Sequence, residues 1–200
     1  MKSAKTVPTN SGGFPPGLAA LVEQAGQPAQ SRPVERWNPP YCGEIDIRIA
    51  ADGTWFYRGS AIGREALVRL FASILRREAD GSHVLVTPVE KLGIAVDDAP
   101  FLAVEVAAEG EGASRVLSFR TNVGDIAAAG PEHPLRFATE AGTGGLKPYL
   151  TVRGGLEALV TRALTLELVG LAEEKDGETG LWSGGAFFTF PRSQSESAHG

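Results

Sequence analysis

Apolar and polar residues alternate shortly after residue 40 in the pattern of a β-strand. From Ile45 to Ile49 every second residue is isoleucine and the residues between them are charged, a two-residue period that is typical of a half-buried strand. The next stretch, ADGTWFYRG, places an Asp-Gly pair before three consecutive aromatic residues. Because Asp-Gly between two such runs is a strong turn signal, the pattern predicts a β-hairpin.

Two later segments show the longer period of an amphipathic helix. Ser60 is expected to cap the first of them, whose apolar residues recur at spacings of three and four at Leu67, Leu70, Phe71, Ile74 and Leu75. A shift of 89 positions places these residues on Leu156, Leu159, Val160, Ala163 and Leu164, and places Arg64 on Arg153. A strand precedes each predicted helix, and an Asp-Gly pair with further strands follows it. The sequence therefore predicts a duplicated strand-helix-strand unit.

Composition divides the chain into four predicted parts. Residues 1–40 are rich in proline, glycine, serine and glutamine, and we expect an extended arm with one short helix between Leu18 and Gln24. Residues 41–98 and 99–191 are expected to form two α+β subdomains. Residues 192–200 are polar and lack apolar periodicity, which predicts a disordered tail.

Charge and composition argue against several classes of protein. The net charge of -5, with no basic cluster larger than Arg76-Arg77, argues against nucleic-acid binding. No stretch has the ~20 apolar residues of a membrane span or the apolar core of a secretion signal, so we expect a cytoplasmic protein. With a single cysteine, Cys42, and three widely separated histidines, neither a disulfide nor a zinc site is expected. We expect no metal and no cofactor.

The stretch LVTPVEKLGIAVDDAPF, residues 85–101, contains the densest set of candidate polar residues. Its candidates for ligand contacts are Thr87, Glu90, Lys91 and Asp97. One interpretation is a strand, a turn and a second strand, with the Asp-Asp-Ala-Pro run as a turn into the next strand. The other makes Glu90 a general base, although neighbours on a strand point to opposite faces, so Glu90 and Lys91 are not expected to act on one atom.

The predicted helix starts supply a second candidate site. A helix N-terminus beside a glycine exposes backbone N–H groups, and with Arg64 or Arg153 nearby it could hold a carboxylate or phosphate. In the alternative interpretation, these arginines pair with structural carboxylates such as Asp46, Glu90, Asp97 or Asp98.

The stretch SFRTNVGD ends a predicted strand with Arg120 and Asn122. Asparagine before Val-Gly-Asp is typical of a turn, whereas polar groups at a strand end are also a frequent location for ligand contacts. Tyr149, close to the second predicted helix, could join such a site. No GxSxG motif or other sign of a catalytic triad is present.

Several motifs occur here in an order that resembles a family of uncharacterised bacterial proteins, domain of unknown function 1285. They are RWNPPYCGEIDIRIAADGTWFYRGSAIGREALVRLFASILRREADG, LVTPVEKLGIAVDDAPF, FRTNVGD and PYLTVRGGLEALVTRALTLELV, and they span roughly residues 36–190. The resemblance implies an α+β protein of two related subdomains with repeated motifs, and a role in signalling or ligand binding. It implies no established reaction and no catalytic residues.

Together these observations predict an α+β fold of two related subdomains with repeated strand-helix-strand motifs, in which helices pack on curved antiparallel sheets. The leading functional hypothesis is a non-enzymatic ligand-binding or signalling module that takes a small anionic ligand, or a protein partner, in a cleft between the subdomains. Positive charge is expected from Arg64, Arg120, Arg153 and Lys91, and orientation of the ligand from Asn122, Thr87 and Tyr149.

Two alternatives remain open at this point. An enzyme would use Glu90 or Asp97 as general base and would need a carboxylate with a raised pKa in a concave pocket. A scaffold would present the aromatic strands around Trp55, Tyr57, Phe187 and Phe188 to a partner or to a second copy in a homodimer.

Overall fold

The computed structural model describes residues 13–23, 25 and 32–192. These residues form two six-stranded sheets, one three-stranded sheet and three α-helices, which confirms the α+β class. They divide into two compact units. The first contains the described residues up to Ile47 together with Tyr57–Ile94, and the second contains Arg48–Phe56 together with the described residues from Ala95 onward.

The first sheet and two helices are formed by the N-terminal half of the chain. Their elements are α1 (Pro16–Val22), β1 (Tyr41–Ile49), β2 (Trp55–Tyr57), β3 (Ser60–Ala61), α2 (Glu65–Ser73), β4 (Leu75–Arg77), β5 (His83–Val86) and β6 (Lys91–Val96). The strand order is β3-β2-β1-β6-β5-β4. Strand β5 pairs antiparallel with β4 on one side and with β6 on the other. In β1, Ile47 and Ile49 are buried while Asp46 and Arg48 are exposed, as the alternating pattern requires.

The predicted first helix differs from α2 at both ends. Ser60 lies in the edge strand β3 and not at the helix cap, because it continues the sheet next to β2; Arg64 occupies the cap position instead. Leu75 opens β4 and not the last helical turn. The apolar stripe is nevertheless internal, since Phe71 and Leu75 are fully buried.

The second sheet, the third helix and a separate small sheet are formed by the C-terminal half. Their elements are β7 (Phe101–Glu109), β8 (Val116–Thr121), β9 (Ile126–Ala128), β10 (Leu135–Thr139), β11 (Leu146–Arg153), β12 (Leu156–Val160), α3 (Arg162–Gly170), β13 (Glu173–Lys175), β14 (Glu178–Ser183) and β15 (Ala186–Thr189). The large sheet has the order β10-β11-β12-β7-β8-β9 and is antiparallel except where β12 pairs parallel with β7. The small sheet, β13-β14-β15, is antiparallel throughout.

The prediction of a second helix from Leu156 was wrong, because that stretch is strand β12 and α3 begins at Arg162. Gly154 and Gly155 both have positive φ, 50° and 73°, and form a tight turn that sends the chain back along β11. After the turn, Leu156 and every second residue up to Val160 are buried, which is the period of a strand. Arg153 therefore ends a strand and does not begin a helix.

The repeat predicted at a shift of 89 positions was also wrong, because it aligned the helical Leu67 with Leu156 in a strand. The structure contains a helix-strand-turn repeat at a different spacing. Both α2 and α3 are nine residues long, and their first residues, Glu65 and Arg162, are 97 positions apart. This spacing aligns the fully buried Phe71 with the fully buried Leu168.

The turns that follow these helices differ in length by one residue. After α2 and β4, the hairpin loop is Ala79-Asp80-Gly81, closed by a hydrogen bond from the Glu78 amide to the Ser82 carbonyl. After α3 and β13, the loop is the two-residue Asp176-Gly177, with φ of 53° and 78°. Both loops therefore use a glycine with positive φ.

Parts of the predicted arm and tail lie outside the described residues. Within the arm, Pro16–Val22 is the helix α1 and Val34–Arg36 forms a short 3-10 turn. The structure does not describe residues 1–12, 24 and 26–31, for which an extended arm is predicted. It also does not describe residues 193–200, for which a disordered tail is predicted. Among the helices that are described, none combines the length and hydrophobicity that a membrane span needs.

Candidate functional site

An open cleft of about 660 Å³ lies in the first unit, beside the β4–β5 turn. Its polar lining comes from β1, β5, β6 and that turn, and consists of Tyr41, Glu44, Glu78, Asp80, Ser82, His83 and Lys91. Tyr41 is 56% exposed, so an aromatic surface borders the cleft and is accessible to solvent. Concave surfaces with a few convergent polar groups are the usual location of small-molecule sites.

Gly93 in β6 forms part of the cleft floor because it has no side chain. A Cβ atom at this position would lie 2.8 Å from the Tyr41 hydroxyl oxygen and 3.2 Å from Cγ of Glu44. The glycine therefore allows the Tyr41 ring to lie across β6. A glycine within a strand pattern often marks such a close approach.

A chain of ion pairs fixes one wall of the cleft. Lys91 Nζ lies 3.2 Å from Glu78 Oε2, and Arg76 donates to the same carboxylate from Nε at 2.8 Å. Arg76 also donates to the main-chain carbonyls of Val34 and Trp37, at 2.9 and 2.7 Å. Although partial burial acts to raise the pKa of Glu78, the hydrogen bonds from Arg76 and Lys91 bring this pKa below its ordinary value.

Two further titratable groups of the cleft, Asp80 and His83, have shifted pKa values. Hydrogen bonds from the Ser82 hydroxyl and amide lower the pKa of Asp80. Burial, and then the nearby charge of Arg77, lower the pKa of His83, so its imidazole is neutral at pH 7. Glu44 is exposed and forms no ion pair with any described residue. The cleft thus has three carboxylates and one ammonium group.

Three of the predicted site residues in the first unit contact the N-terminal segment of the chain instead of the cleft. Glu90 is buried, and its Oε1 accepts a hydrogen bond of 2.7 Å from the Leu18 amide. Thr87 is buried beside it and accepts from the Glu90 amide at 3.1 Å. Arg64 donates to the Ala25 carbonyl at 3.1 Å. Only Lys91, which lies next to Glu90 in sequence, lines the cleft.

In the second unit, the predicted arginine and aspartate candidates form ion pairs. Asp97 pairs with Arg48 through two hydrogen bonds, and Arg120 pairs with Glu105 through two. The hydrogen bond from Arg48 is the main cause that lowers the pKa of Asp97. The charged groups of Asp97 and Arg120, which were predicted to contact a ligand, therefore already have partners within the protein.

Arg153, Asn122 and Tyr149 also have protein partners in the second unit. Arg153 Nε lies 3.3 Å from Asp125 Oδ2, and its guanidinium lies 5.3 Å from the centre of the Phe101 ring. The Asn122 Oδ1 accepts from the Leu102 amide at 3.0 Å, and the Tyr149 hydroxyl donates to Asp98 at 2.7 Å. The predicted site between the subdomains stays a prediction.

The aromatic surface of the scaffold hypothesis is partly internal. Trp55 is 1% exposed and belongs to the core, and Tyr57 stacks on Phe14 with ring centres 4.5 Å apart. Phe187 and Phe188 in β15 are half-buried. In the part of the chain that the structure describes, no group of three or more His, Cys, Asp or Glu side chains is arranged to hold a metal ion.

Sequence reasoning missed most of the cleft. Asp80-Gly81 was noted only as the pair that follows the first predicted helix, and neither Tyr41 nor Glu44 was among the predicted site residues. The available signal was Gly93, a glycine inside an otherwise apolar strand pattern, which could have indicated a close approach by another group.

The comparisons with known proteins agree on one family. The DUF1285 N-terminal domain, described as a domain of unknown function, matches residues 32–99, and the DUF1285 C-terminal domain matches residues 100–190. The chain belongs to the DUF1285 family. The family resemblance drawn from the sequence motifs is thereby confirmed.

Two crystal structures of DUF1285 proteins are similar to this chain. The protein from Silicibacter pomeroyi DSS-3 is 53% identical over 86% of this chain and 92% of its own, with a TM-score of 0.80. The protein from Shewanella baltica OS155 is 29% identical over 63% of this chain and 91% of its own, with a TM-score of 0.50. A comparison with curated proteins gives no match.

Proposed function

We propose that this DUF1285 protein is a cytoplasmic, non-enzymatic module that binds a small ligand in the cleft of its first unit, and that the ligand has a positively charged nitrogen. The observation that carries the proposal is the cleft of about 660 Å³ in which carboxylates outnumber cationic groups and Glu44 forms no ion pair with the described residues. Occupancy of the cleft, and not turnover, is then the regulatory signal.

The charge distribution favours a cationic ligand over the anion expected from the sequence. An anion entering the cleft would meet three carboxylates, and the one ammonium group, on Lys91, already interacts with Glu78. A ligand amine could pair with Glu44 and contact the face of the exposed Tyr41 ring, an arrangement in which aromatic rings attract cations. The arginines proposed for an anion, Arg120 and Arg153, are bonded to carboxylates.

The surroundings of the two candidate bases support binding over catalysis. A general base works best with a pKa near the operating pH. Glu90 is only 7% exposed, and its Oε1 already accepts a hydrogen bond from the Leu18 amide. The pKa of Asp97 is lowered by its hydrogen bond from Arg48, which makes it a weaker base.

The test is a thermal-shift screen of the full chain against small amines, amino acids, quaternary ammonium compounds, phosphorylated sugars and carboxylates. A ligand at 100 times its Kd stabilises the folded state by about 2.7 kcal/mol, which is readily seen as a raised Tm. We expect an amine to give the shift, and Glu44→Gln, which removes one charge without changing shape, to weaken binding about tenfold.

The matched control is Glu109→Gln, which removes the same charge from an exposed position at the end of β7. It should bind the ligand like the wild type. A shift produced only by anions, or an equal loss in both variants, would contradict a cationic ligand in this cleft.

A further inference from the structure

The cleft of the first unit has charged groups of opposite sign on its two sides. The sheet order places β1 next to β6, and β4 next to β5. Glu44 lies in β1, and its Cγ would be 3.2 Å from a Cβ atom on Gly93 of β6. Lys91 Nζ lies 3.2 Å from Oε2 of Glu78, which directly follows β4. A carboxylate and an ammonium group therefore lie on either side of the floor that Gly93 forms with its cross-strand neighbour Val84.

Lys91 brings one more positive charge than the ion pairs of the cleft wall need. Arg76 by itself compensates Glu78, because its Nε and Nη2 atoms lie 2.8 and 2.6 Å from Glu78 Oε1. Lys91 contacts the other carboxylate oxygen of Glu78. The Nη1 group of Arg76 donates to the carbonyls of Val34 and Trp37, so Arg76 is held in place by the main chain. Two cations thus share one carboxylate, and the surplus charge belongs to Lys91.

Asp80, in the β4–β5 turn, does not cancel this surplus charge. Its Oδ1 accepts hydrogen bonds from the Ser82 amide and hydroxyl, at 2.9 and 2.6 Å. These hydrogen bonds are the main causes that lower the pKa of Asp80, whereas the charge of Lys91 is the smallest of the causes. Asp80 and Lys91 are therefore too far apart to act as an ion pair.

The ammonium group of Lys91 also has hydrogen-bonding capacity left. An ammonium group has three N–H donors, and in the part of the chain that the structure describes Lys91 donates only to Glu78. Its side chain is 17% exposed and lines the cleft. A mostly buried cation with unused donors favours a charged acceptor, and a carboxylate carries the single negative charge that matches the surplus.

The floor of the cleft between these charged groups is apolar. Val84 is 3% exposed and Ile94 is half-buried, and both line the cleft. Gly93 adds no side chain, so a ligand can lie close to the backbone of β6. A hydrocarbon group placed on this floor would leave water, which is favourable.

We propose that the ligand of this cleft is a free amino acid with an apolar side chain. Its ammonium group pairs with Glu44, its carboxylate accepts hydrogen bonds from Lys91, and its side chain contacts Val84 and Ile94. An isolated anion is repelled by the carboxylates of the cleft, but the ammonium group of the same molecule offsets that repulsion. The inference rests on the proposed function and narrows its ligand from any small cation to a zwitterion.

The experiment is isothermal titration calorimetry of the full chain with leucine, valine and phenylalanine, each compared with two derivatives. The α-amide keeps the size of the amino acid but removes the negative charge, and the N-acetyl form removes the positive charge. We expect at least one of these amino acids to bind, and both of its derivatives to bind at least about tenfold more weakly, because each loses a charge-assisted hydrogen bond.

Substitutions of Lys91 identify the group that recognises the carboxylate. Lys91→Met removes the charge while Glu78 keeps its bonds from Arg76. This variant should bind the amino acid no better than its amide, whereas its affinity for the amide should change little. Lys91→Arg should keep the preference for the amino acid. The matched control is Lys175→Met, which removes the same charge from an exposed lysine in β13 and should bind like the wild type.

The outcomes separate this inference from the proposed function. If amines and amino acid amides bind but the carboxylate adds nothing to the affinity, the zwitterion is wrong and the cationic ligand stands. If no compound with an ammonium group binds, both are wrong. A preference for the amino acid that survives in Lys91→Met, or that Lys175→Met also abolishes, overturns the role of Lys91. The wild-type comparison of the three forms needs no variant, so it decides the ligand class even if Lys91→Met does not fold.

Discussion

At the scale of single residues, Ser183 shows how one buried hydroxyl group can join two sheets of the second unit. Its side chain is 0% exposed, accepts a hydrogen bond from the Leu117 amide at 2.8 Å, and donates one to the Ala129 carbonyl at 2.8 Å. Gly184, next to it, approaches so closely that a Cβ would lie 2.8 Å from the same carbonyl oxygen. The Trp-Ser-Gly-Gly turn is therefore also a structural link.

Replacing this residue by Ser183→Ala should destabilise the protein strongly. The change leaves the buried Leu117 amide without its hydrogen-bond acceptor and removes one donor from the Ala129 carbonyl. The free energy of unfolding should fall by roughly 1–3 kcal/mol. Urea unfolding followed by circular dichroism measures it. The control, Ser118→Ala in β8, should change the free energy of unfolding by less than about 0.5 kcal/mol. Equal effects of the two substitutions would contradict the assigned role.

The sequence predicted that Glu90 and Lys91 would not act together, but it did not predict which group Glu90 would bind. Glu90 lies in the turn before β6 and contacts α1, whereas Lys91 is the first residue of β6 and lines the cleft. The partner of Glu90, however, is the Leu18 amide, 72 positions away. A backbone N–H has no distinctive residue type, so no pattern in the sequence could indicate it.

At the scale of elements, Asp98 fixes the turn after β6 onto strand β11. It accepts a hydrogen bond of 2.5 Å from Lys147 and one of 2.7 Å from the Tyr149 hydroxyl. Burial acts to raise the pKa of Asp98, but these two bonds outweigh it and bring the pKa below its ordinary value. Burial, and then the hydrogen bond to Asp98, raise the pKa of Tyr149. The guanidinium of Arg136 lies 4.1 Å from the centre of the Tyr149 ring.

We expect Asp98→Asn to reduce stability at pH 7 by about 1–3 kcal/mol, because it removes a charged acceptor from a partly buried site. The wild-type pKa of Asp98 is lower in the folded state than the value of about 3.9 in the unfolded chain. Its contribution is therefore complete above that value and is lost as the pH falls through the folded-state pKa.

Urea unfolding at a series of pH values checks this. The difference between wild type and Asp98→Asn should shrink as the solution is acidified below about pH 4. Asp97→Asn, next in sequence but in an exposed pair, should show a smaller difference at pH 7. A difference for Asp98→Asn that is constant across the acidic range would show that its ionisation is not involved.

The wrongly predicted second helix shows why the sequence alone could not distinguish a helix from a strand at this position. In the run Leu156 to Val160, apolar residues satisfy the spacing of a helix and also the alternation of a strand. The run forms a strand because the two glycines before it have positive φ values and close a hairpin. Pairing with β7, more than 50 positions earlier in sequence, then supplies hydrogen bonds that no local pattern encodes.

At the scale of the whole molecule, charge sets the solution behaviour. The formal charge is -5 at pH 7 and the isoelectric point is about 5.3. Since proteins associate most readily near zero net charge, we expect minimum solubility near pH 5.3. Turbidity across a pH series measures this, and Glu109→Lys, at an exposed strand end, should move the minimum to higher pH. An unmoved minimum would indicate that a specific contact, and not net charge, controls association.

The overall class was more predictable than the arrangement within it. The α+β class and the family followed from motif order, and the comparisons confirm them. The cleft did not follow, because it depends on β1, β5 and β6 lying side by side. Tyr41 and His83 are 42 positions apart in sequence and line the same cavity only through that strand order.

The one-residue difference between the two hairpin loops bears on how a duplicated unit acquires a new role. The longer loop contains Asp80, which borders the cleft, while the shorter Asp176-Gly177 loop closes its hairpin with the fewest residues that a tight turn needs. Both loops contain an Asp-Gly pair, so the extra residue of the longer loop is Ala79. If both halves descend from one ancestral unit, a single-codon insertion or deletion separates the two loops. Loop length would then be the heritable change by which one copy was free to specialise while the other kept the ancestral geometry.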